Sequence, residues 1–262
     1  MKQTRITVVG AQGRMGQRVR QVIARDPNLV LAGALERAGH PELGSELEGT
    51  ALTDQPAIAL AESDVAIDFS QPESTLVNMQ RAAEQGVAYV TGTTGFDPAG
   101  LKKIQKYAEK IQICHAPNFS LAVNVTAWLV REAARKLGSD FDAELFELHH
   151  SAKRDAPSGT ALRLAEAIAE GRGQDLAEHL LLERAGDIGA RRDQTIAVQT
   201  LRGGDSAGEH TVMFIGRGER VEIVHRAATR EHFAEGAVRA AQWLVGKPAG
   251  LYPVEAIFGL KD

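Results

Sequence analysis

Apolar positions along this chain change period near its middle. Residues 5–9, 29–35, 64–69, 87–90 and 111–114 are short apolar runs of the length expected for buried strands. Between them, apolar residues recur at helical spacing over 17–25, over 72–85 with Leu76, Met79 and Ala83 on one side, and over 98–110. Strand and helix in strict alternation predict an open parallel sheet, because each parallel connection needs a crossover helix. The stretch 38–55, broken by Gly39, Pro41, Gly44 and Gly49, reads as irregular surface connection.

The alternation stops near residue 120. One long helix is predicted over 120–137, with Leu121, Val125, Trp128, Leu129, Ala133 and Leu137 as its apolar face and Gly138 beyond its end. A strand follows, in which Phe141, Ala143 and Leu145 alternate with Asp142 and Glu144 before Phe146 and Leu148 take over the apolar positions. A helix over 160–170 comes next, and 171–193 reads either as a short helix over 176–183 or as a loop. Residues 194–201, 209–215 and 219–225 alternate with period 2 and are joined by glycine-bearing turns, and 231–245 forms a last helix. The expected fold class is α/β: an N-terminal Rossmann-like dinucleotide-binding domain and a C-terminal α+β domain with a largely antiparallel or mixed sheet. A sheet face with too few helices to cover it predicts an oligomer.

Composition narrows the classes. In 262 residues the chain is 44% hydrophobic and 24% charged, ordinary for a globular protein with a sizeable core. A net charge of −4 argues against general affinity for nucleic acid or anionic membranes. Cys114 is the single cysteine, so no intramolecular disulfide is possible. With no apolar run of membrane-spanning length and no signal-type leader, the expected location is the cytoplasm.

Three stretches carry chemistry. Gly10, Gly13 and Gly16 lie where a strand turns into a helix, the arrangement that brings backbone N–H groups against a pyrophosphate. Glu36 ends the second strand twenty positions past Gly16, where a ribose-binding acid belongs, and Arg37 beside it can grip a 2′-phosphate. The polar loop Gly92-Thr93-Thr94 follows another strand, at the edge where open parallel sheets bind ligands, although a plain strand-to-helix turn reads the same way. The densest stretch runs from Glu147 to Thr160. His149 and His150 are adjacent at a strand end and so face opposite sides. Ser158, Gly159 and Thr160 open a helix whose free N–H groups suit a carboxylate, and Lys153 reinforces that site. The familiar zinc spacings are absent, so no metal is expected.

With these motifs placed, the chain resembles the 4-hydroxy-tetrahydrodipicolinate reductases, formerly called dihydrodipicolinate reductases. The likeness is most specific over 147–161, with support from 10–16 and 203–214, while 172–193 follows the family pattern poorly. The resemblance implies an NADH- or NADPH-dependent reduction of a cyclic dicarboxylate in lysine and diaminopimelate synthesis. It implies that His149 exchanges the proton, that Lys153 is a second donor, and that His150, Lys153, Ser158, Gly159 and Thr160 clamp the substrate. It assigns the cofactor to Gly10, Ala11, Gln12, Gly13, Arg14, Met15, Glu36, Arg37, Gly92, Thr93, Thr94, Ala116, Pro117, Asn118 and Phe119. It further implies a homotetramer, a dinucleotide-binding domain of residues 1–120 and 230–262, and a substrate-binding and oligomerisation domain of residues 121–229. Another amino-acid-pathway dehydrogenase of the same plan, or a non-catalytic NADPH sensor, remains as an alternative reading of the motifs.

Overall fold

A computed structural model describes residues 3–260, so residues 1, 2, 261 and 262 of the expected first domain lie outside the described residues. In chain order the elements are β1 (Thr4–Val9), α1 (Arg14–Arg25), β2 (Leu29–Leu35), β3 (Glu46–Leu47), β4 (Thr50–Thr53), α2 (Pro56–Leu60), β5 (Val65–Asp68), α3 (Pro72–Gln85), β6 (Ala88–Thr91), α4 (Pro98–Ala108) and β7 (Gln112–His115). There follow α5 (Leu121–Leu137), β8 (Asp142–His149), α6 (Gly159–Arg172), α7 (Leu176–His179), β9 (Leu180–Leu181), β10 (Ile196–Arg202), β11 (Gly208–Ile215) and β12 (Arg220–Ala227). Last come α8 (Glu231–Leu244), β13 (Gly250–Leu251) and α9 (Val254–Phe258). Two compact units result, one running to Ser120 and resuming at Glu231, the other spanning Leu121–Arg230.

The first unit is built on an eight-stranded sheet in the order β13-β7-β6-β5-β1-β2-β4-β3, parallel except for the small β3–β4 pair. After β1 the chain goes to β2 on one side, and β5 then pairs with β1 on the other. That reversal opens a crevice at the carboxyl ends of β1 and β5, the usual ligand position in such sheets. The β3–β4 hairpin lies inside the stretch read as irregular. Its polar, glycine-broken strands give no run long enough to register as a strand pattern. Ile6, Val8, Val65, Ile67 and Val90 are fully buried between helix layers, which is why β1, β5 and β6 read as unbroken apolar runs.

In the second unit the sheet is mixed, in the order β12-β11-β8-β10-β9, with β8 parallel to β10 and antiparallel to β11. Helices α5 and α6 pack on one face of it, and their contact corrects the apolar face read for α5. The buried positions are Val123, Thr126, Ala127, Val130 and Ala134, whereas Leu121 and Leu129 are exposed. The reason is close approach: a Cβ on Gly171 of α6 would lie 2.3 Å from Arg131 O and 2.9 Å from Ala134 Cβ. Small residues set that interface, so the large ones face elsewhere. Strand β8 is also simpler than its sequence suggested. It does not exchange faces at Phe146, and Ala143, Leu145, Glu147 and His149 all point into the unit.

Candidate active site

In the first unit the β1–α1 turn is built by glycine. Gly10 adopts φ +69, and a Cβ on Gly16 would lie 2.0 Å from Gly10 O, so helix and turn meet at backbone distance. A cavity of about 490 Å³ lies over this turn, lined by Gly10, Gly13, Arg14, Met15, Glu36 and Arg37, with Phe69, Ser70 and Ser74 across from them. Glu36 is fixed at its rim, Oε1 accepting from Gln12 N at 3.0 Å and Oε2 from Arg37 N at 3.1 Å. Arg37 is exposed, and Ala11 is buried with its N–H on Leu35 O. Backbone donors at a helix start, an acid at the end of β2 and an exposed guanidinium fit an adenosine ribose with its phosphates.

The remaining cofactor positions sit at the ends of β6 and β7 and do not line that cavity. Gly92 backs onto Phe69, where a Cβ would come within 2.1 Å of the ring, and Thr94 is exposed. Thr93 is turned inward, its hydroxyl 2.9 Å from Thr75 Oγ1, while His115 Nε2 is 3.1 Å from Thr93 O. Ala116 and Phe119 are core residues, Pro117 is exposed, and Asn118 Oδ1 accepts from Ser120 N at 2.8 Å. Beneath the crevice, the fully buried Asp68 accepts from Tyr89 Oη at 2.7 Å and from Ser70 N at 2.7 Å. Burial raises its pKa above the usual aspartate value, against the pull of these donors.

The second unit gathers the rest around the end of β8. Register puts Arg202 of β10 opposite His149, and His210 of β11 opposite Glu147. The buried Glu147 carboxylate accepts from Ser158 N at 3.0 Å and Thr200 Oγ1 at 3.3 Å, from both terminal nitrogens of Arg202 at 2.9 and 3.0 Å, and pairs with His149 Nδ1. Burial alone would raise this carboxyl, but the Arg202, His149 and Ser158 donors outweigh it and hold it below the usual glutamate range. His149 is buried and its pKa is lowered, chiefly by desolvation and against the raising effect of Glu147. Its ring meets that of His210 edge-on, with centroids 5.3 Å apart.

The other expected site residues divide by what they already hold. Ser158 caps α6, its hydroxyl accepting from Ala161 N at 3.1 Å and lying 3.1 Å from His210 Nε2, so both of its polar groups are engaged within the unit. Gly159 is exposed at the first turn of α6, where N–H groups point outward, and half-buried Thr160 follows it. Lys153 Nζ donates to both oxygens of Asp155, at 2.8 and 2.7 Å. His150 takes the direction away from His149, its Nε2 accepting from Arg230 Nη2 at 3.0 Å.

The sequence gives no place in the site to Glu147, Arg202, His210 or Arg230. Carrying the alternation of Ala143 and Leu145 forward two steps would have placed Glu147 and His149 together on the buried face. Arg202 and His210 become partners only through strand pairing, which the spacing of residues along the chain does not reveal. Glu147, His149 and His210 have ligand-type atoms within 4.8 Å of one another. That carboxylate, however, already accepts five hydrogen bonds, about its full lone-pair capacity, and it neutralises Arg202. The cluster is a hydrogen-bonded acid–imidazole network.

Comparison with known proteins bears on the whole chain. Residues 4–119 match the family model described as dihydrodipicolinate reductase, N-terminus, and residues 122–258 match its C-terminus counterpart. A 4-hydroxy-tetrahydrodipicolinate reductase of Anaeromyxobacter dehalogenans is 48% identical, and one of Geobacter sulfurreducens 45% identical, each over 98% of this chain and nearly all of its own length (98% and 100%). Among solved structures, a dipicolinate-bound dihydrodipicolinate reductase from Paenisporosarcina sp. superposes with TM-score 0.80 at 22% identity, over 96% of this chain and 97% of its own. A diaminopimelate dehydrogenase of C. glutamicum shares the fold more distantly, with TM-score 0.58 at 14% identity over 100% of this chain and 97% of its own. Two family models that together cover almost every described residue, and relatives near half identity end to end, place this chain in the dihydrodipicolinate reductase family.

Proposed function

We propose that this chain reduces 4-hydroxy-tetrahydrodipicolinate to tetrahydrodipicolinate, with NADH or NADPH as the reductant and the 4-hydroxyl leaving as water, in the synthesis of diaminopimelate and lysine. The observation that carries the reading is the end of β8, where a buried imidazole, a lysine and the N-terminal turn of α6 lie in one unit of a chain that belongs to this family. The nicotinamide cofactor supplies the hydride when bound, and the β1–α1 turn with Glu36 and Arg37 fits its adenosine end.

The residues named from the resemblance then divide the work. His149 gives the proton that balances charge developing on the ring: the neutral imidazole takes that proton from solvent at its free nitrogen, and burial, which lowers its pKa, makes the protonated imidazole a ready donor. Lys153 and the Gly159-Thr160 amides take a ring carboxylate, and the Asp155 partner of Lys153 is an exposed acid that such a carboxylate can displace. His150, steadied by Arg230, borders the substrate. No step draws on a metal.

Two further parts of the reading concern assembly and location. The sheet face opposite α5 and α6 leaves Phe146, Leu201 and Val224 exposed at 37, 46 and 39%, which supports association of copies into a homotetramer through this unit. Among the described residues no helix is long and apolar enough to cross a membrane. A biosynthetic role of this kind belongs in the cytoplasm. The test is NADPH oxidation by the purified chain with and without the cyclic product of the dihydrodipicolinate synthase step. Substrate-dependent oxidation is expected, and its absence would overturn the assignment.

A further inference from the structure

The His149 ring is hydrogen-bonded through Nδ1 to one acid, Glu147. Glu147 is two residues earlier on the same face of β8, and it is completely buried. A buried carboxylate is tolerated only if its lone pairs are used, and here Ser158 N, Thr200 Oγ1, the two-pronged Arg202 and His149 Nδ1 together saturate it. An acid clamped in this way stays ionised and offers no proton. Nδ1 of His149 must therefore carry the hydrogen, and the lone pair falls on Nε2. That nitrogen points at Gly208, where a Cβ would stand only 2.8 Å away.

We propose that Glu147 is the positioning residue of this site: through Arg202 and Ser158 it fixes His149 in the Nδ1–H tautomer, so that Nε2 is the atom at which the proton is exchanged. The choice of His149 as the exchanging group rests on the proposed reductase function, whereas the tautomer assignment does not. The charged and titratable groups that face the ring are Glu147 on β8, Lys153 in the following loop, Arg202 on β10, and His210 on β11 with His225 beyond it. Of these, only Glu147 favours the imidazolium, while Lys153 and Arg202 oppose it. Removing Glu147 and removing Arg202 must then move His149 in opposite directions, which a purely structural pair would not do.

The test is nitrogen-detected NMR of the intact protein labelled at histidine, with no substrate added. At neutral pH the wild type should show His149 protonated at Nδ1 and bare at Nε2. In Glu147→Gln the ring should titrate at lower pH than in wild type, and in Arg202→Gln at higher pH. Turnover in Glu147→Gln should fall about 10- to 10³-fold with the cofactor Kd unchanged, the scale seen when the orienting acid of an imidazole is lost. Finding Nε2–H in the wild type, or one common titration in all three proteins, overturns the proposal. The wild-type tautomer is readable even if a variant fails to fold. A chain with the Nδ1–H tautomer that oxidises no NADPH with the dicarboxylate supports the positioning role and overturns only the substrate assignment.

Discussion

Gly208 and His149 are in backbone-to-ring contact: Gly208 has φ +149, and a side chain built on it would stand 2.8 Å from His149 Nε2. The glycine thus leaves open the one ring nitrogen that is not turned toward Glu147. Gly208→Ala must displace the ring or the strand, a strain of about 1–3 kcal/mol. We expect turnover to drop about 10- to 10²-fold, with the NADPH Kd unaltered because the cofactor motifs lie in the other unit. A Gly208→Ala enzyme with wild-type turnover would show that Nε2 has no role.

His210 predicts how stability responds to acid. It is buried, Nδ1 has no hydrogen-bond partner among the described residues, and its pKa is pushed down to about 3 by burial first and then by His149 and His225. In the unfolded chain the same ring titrates near ~6.5. Below that pH the unfolded state takes up a proton that the folded state refuses. Stability is therefore intact above ~6.5 and is lost toward pH 3, by about 1.4 kcal/mol per pH unit. His210→Gln should flatten this slope. Urea unfolding at pH 7 and pH 5 measures it, and an equal loss in wild type and variant would remove His210 as the cause.

The stretch 182–195 is tied to β8 by two arginines, Arg191 with the larger share. Arg191 donates to Glu144 Oε1 at 3.0 Å, Asp142 Oδ1 at 2.7 Å, Ala143 O at 3.2 Å and Thr195 O at 2.7 Å, while Arg184 makes a two-pronged pair with the same Glu144. Glu144 lies on the face of β8 opposite His149. Arg191→Met should therefore lower the unfolding free energy by about 1–3 kcal/mol and leave kcat within twofold. A large loss of turnover without a loss of stability would contradict this separation.

These elements mark what could be read from sequence. The parallel sheet and its glycine turn were legible because buried strands are continuous apolar runs and the turn needs Gly10 and Gly16 on steric grounds. The buried face of α5 was not, since Val123, Ala127 and Ala134 are set by approach to Gly171, a contact between helices that no single helix encodes. His149, Lys153 and Gly159 stood out because their chemistry is local. Glu147 lies in the same stretch, but nothing local to the residue marks it as buried. Only the pairing of β8 with β10 brings in Arg202, which makes its burial possible.

We predict dual use of NADH and NADPH from Glu36 and Arg37, which stand together at the cavity rim. Glu36 suits a ribose hydroxyl, and Arg37 suits a 2′-phosphate through hydrogen bonds worth ~1.5–3 kcal/mol. Arg37→Ala should raise the Kd for NADPH by roughly 10- to 150-fold and that for NADH by less than threefold. Fluorescence titration with each cofactor decides this, and equal losses would reject the assignment.

The central claim, that this chain delivers a hydride and a proton to a cyclic dicarboxylate with His149 as the proton source, is tested most directly by NADPH oxidation in wild type and His149→Gln, with the dihydrodipicolinate synthase product generated in the same cuvette. Rapid oxidation that depends on that product is expected in the wild type. A turnover lower by ~10²–10⁴ at unchanged NADPH Kd is expected in the variant. Oxidation that ignores the dicarboxylate, or a His149→Gln enzyme as fast as the wild type, would contradict it.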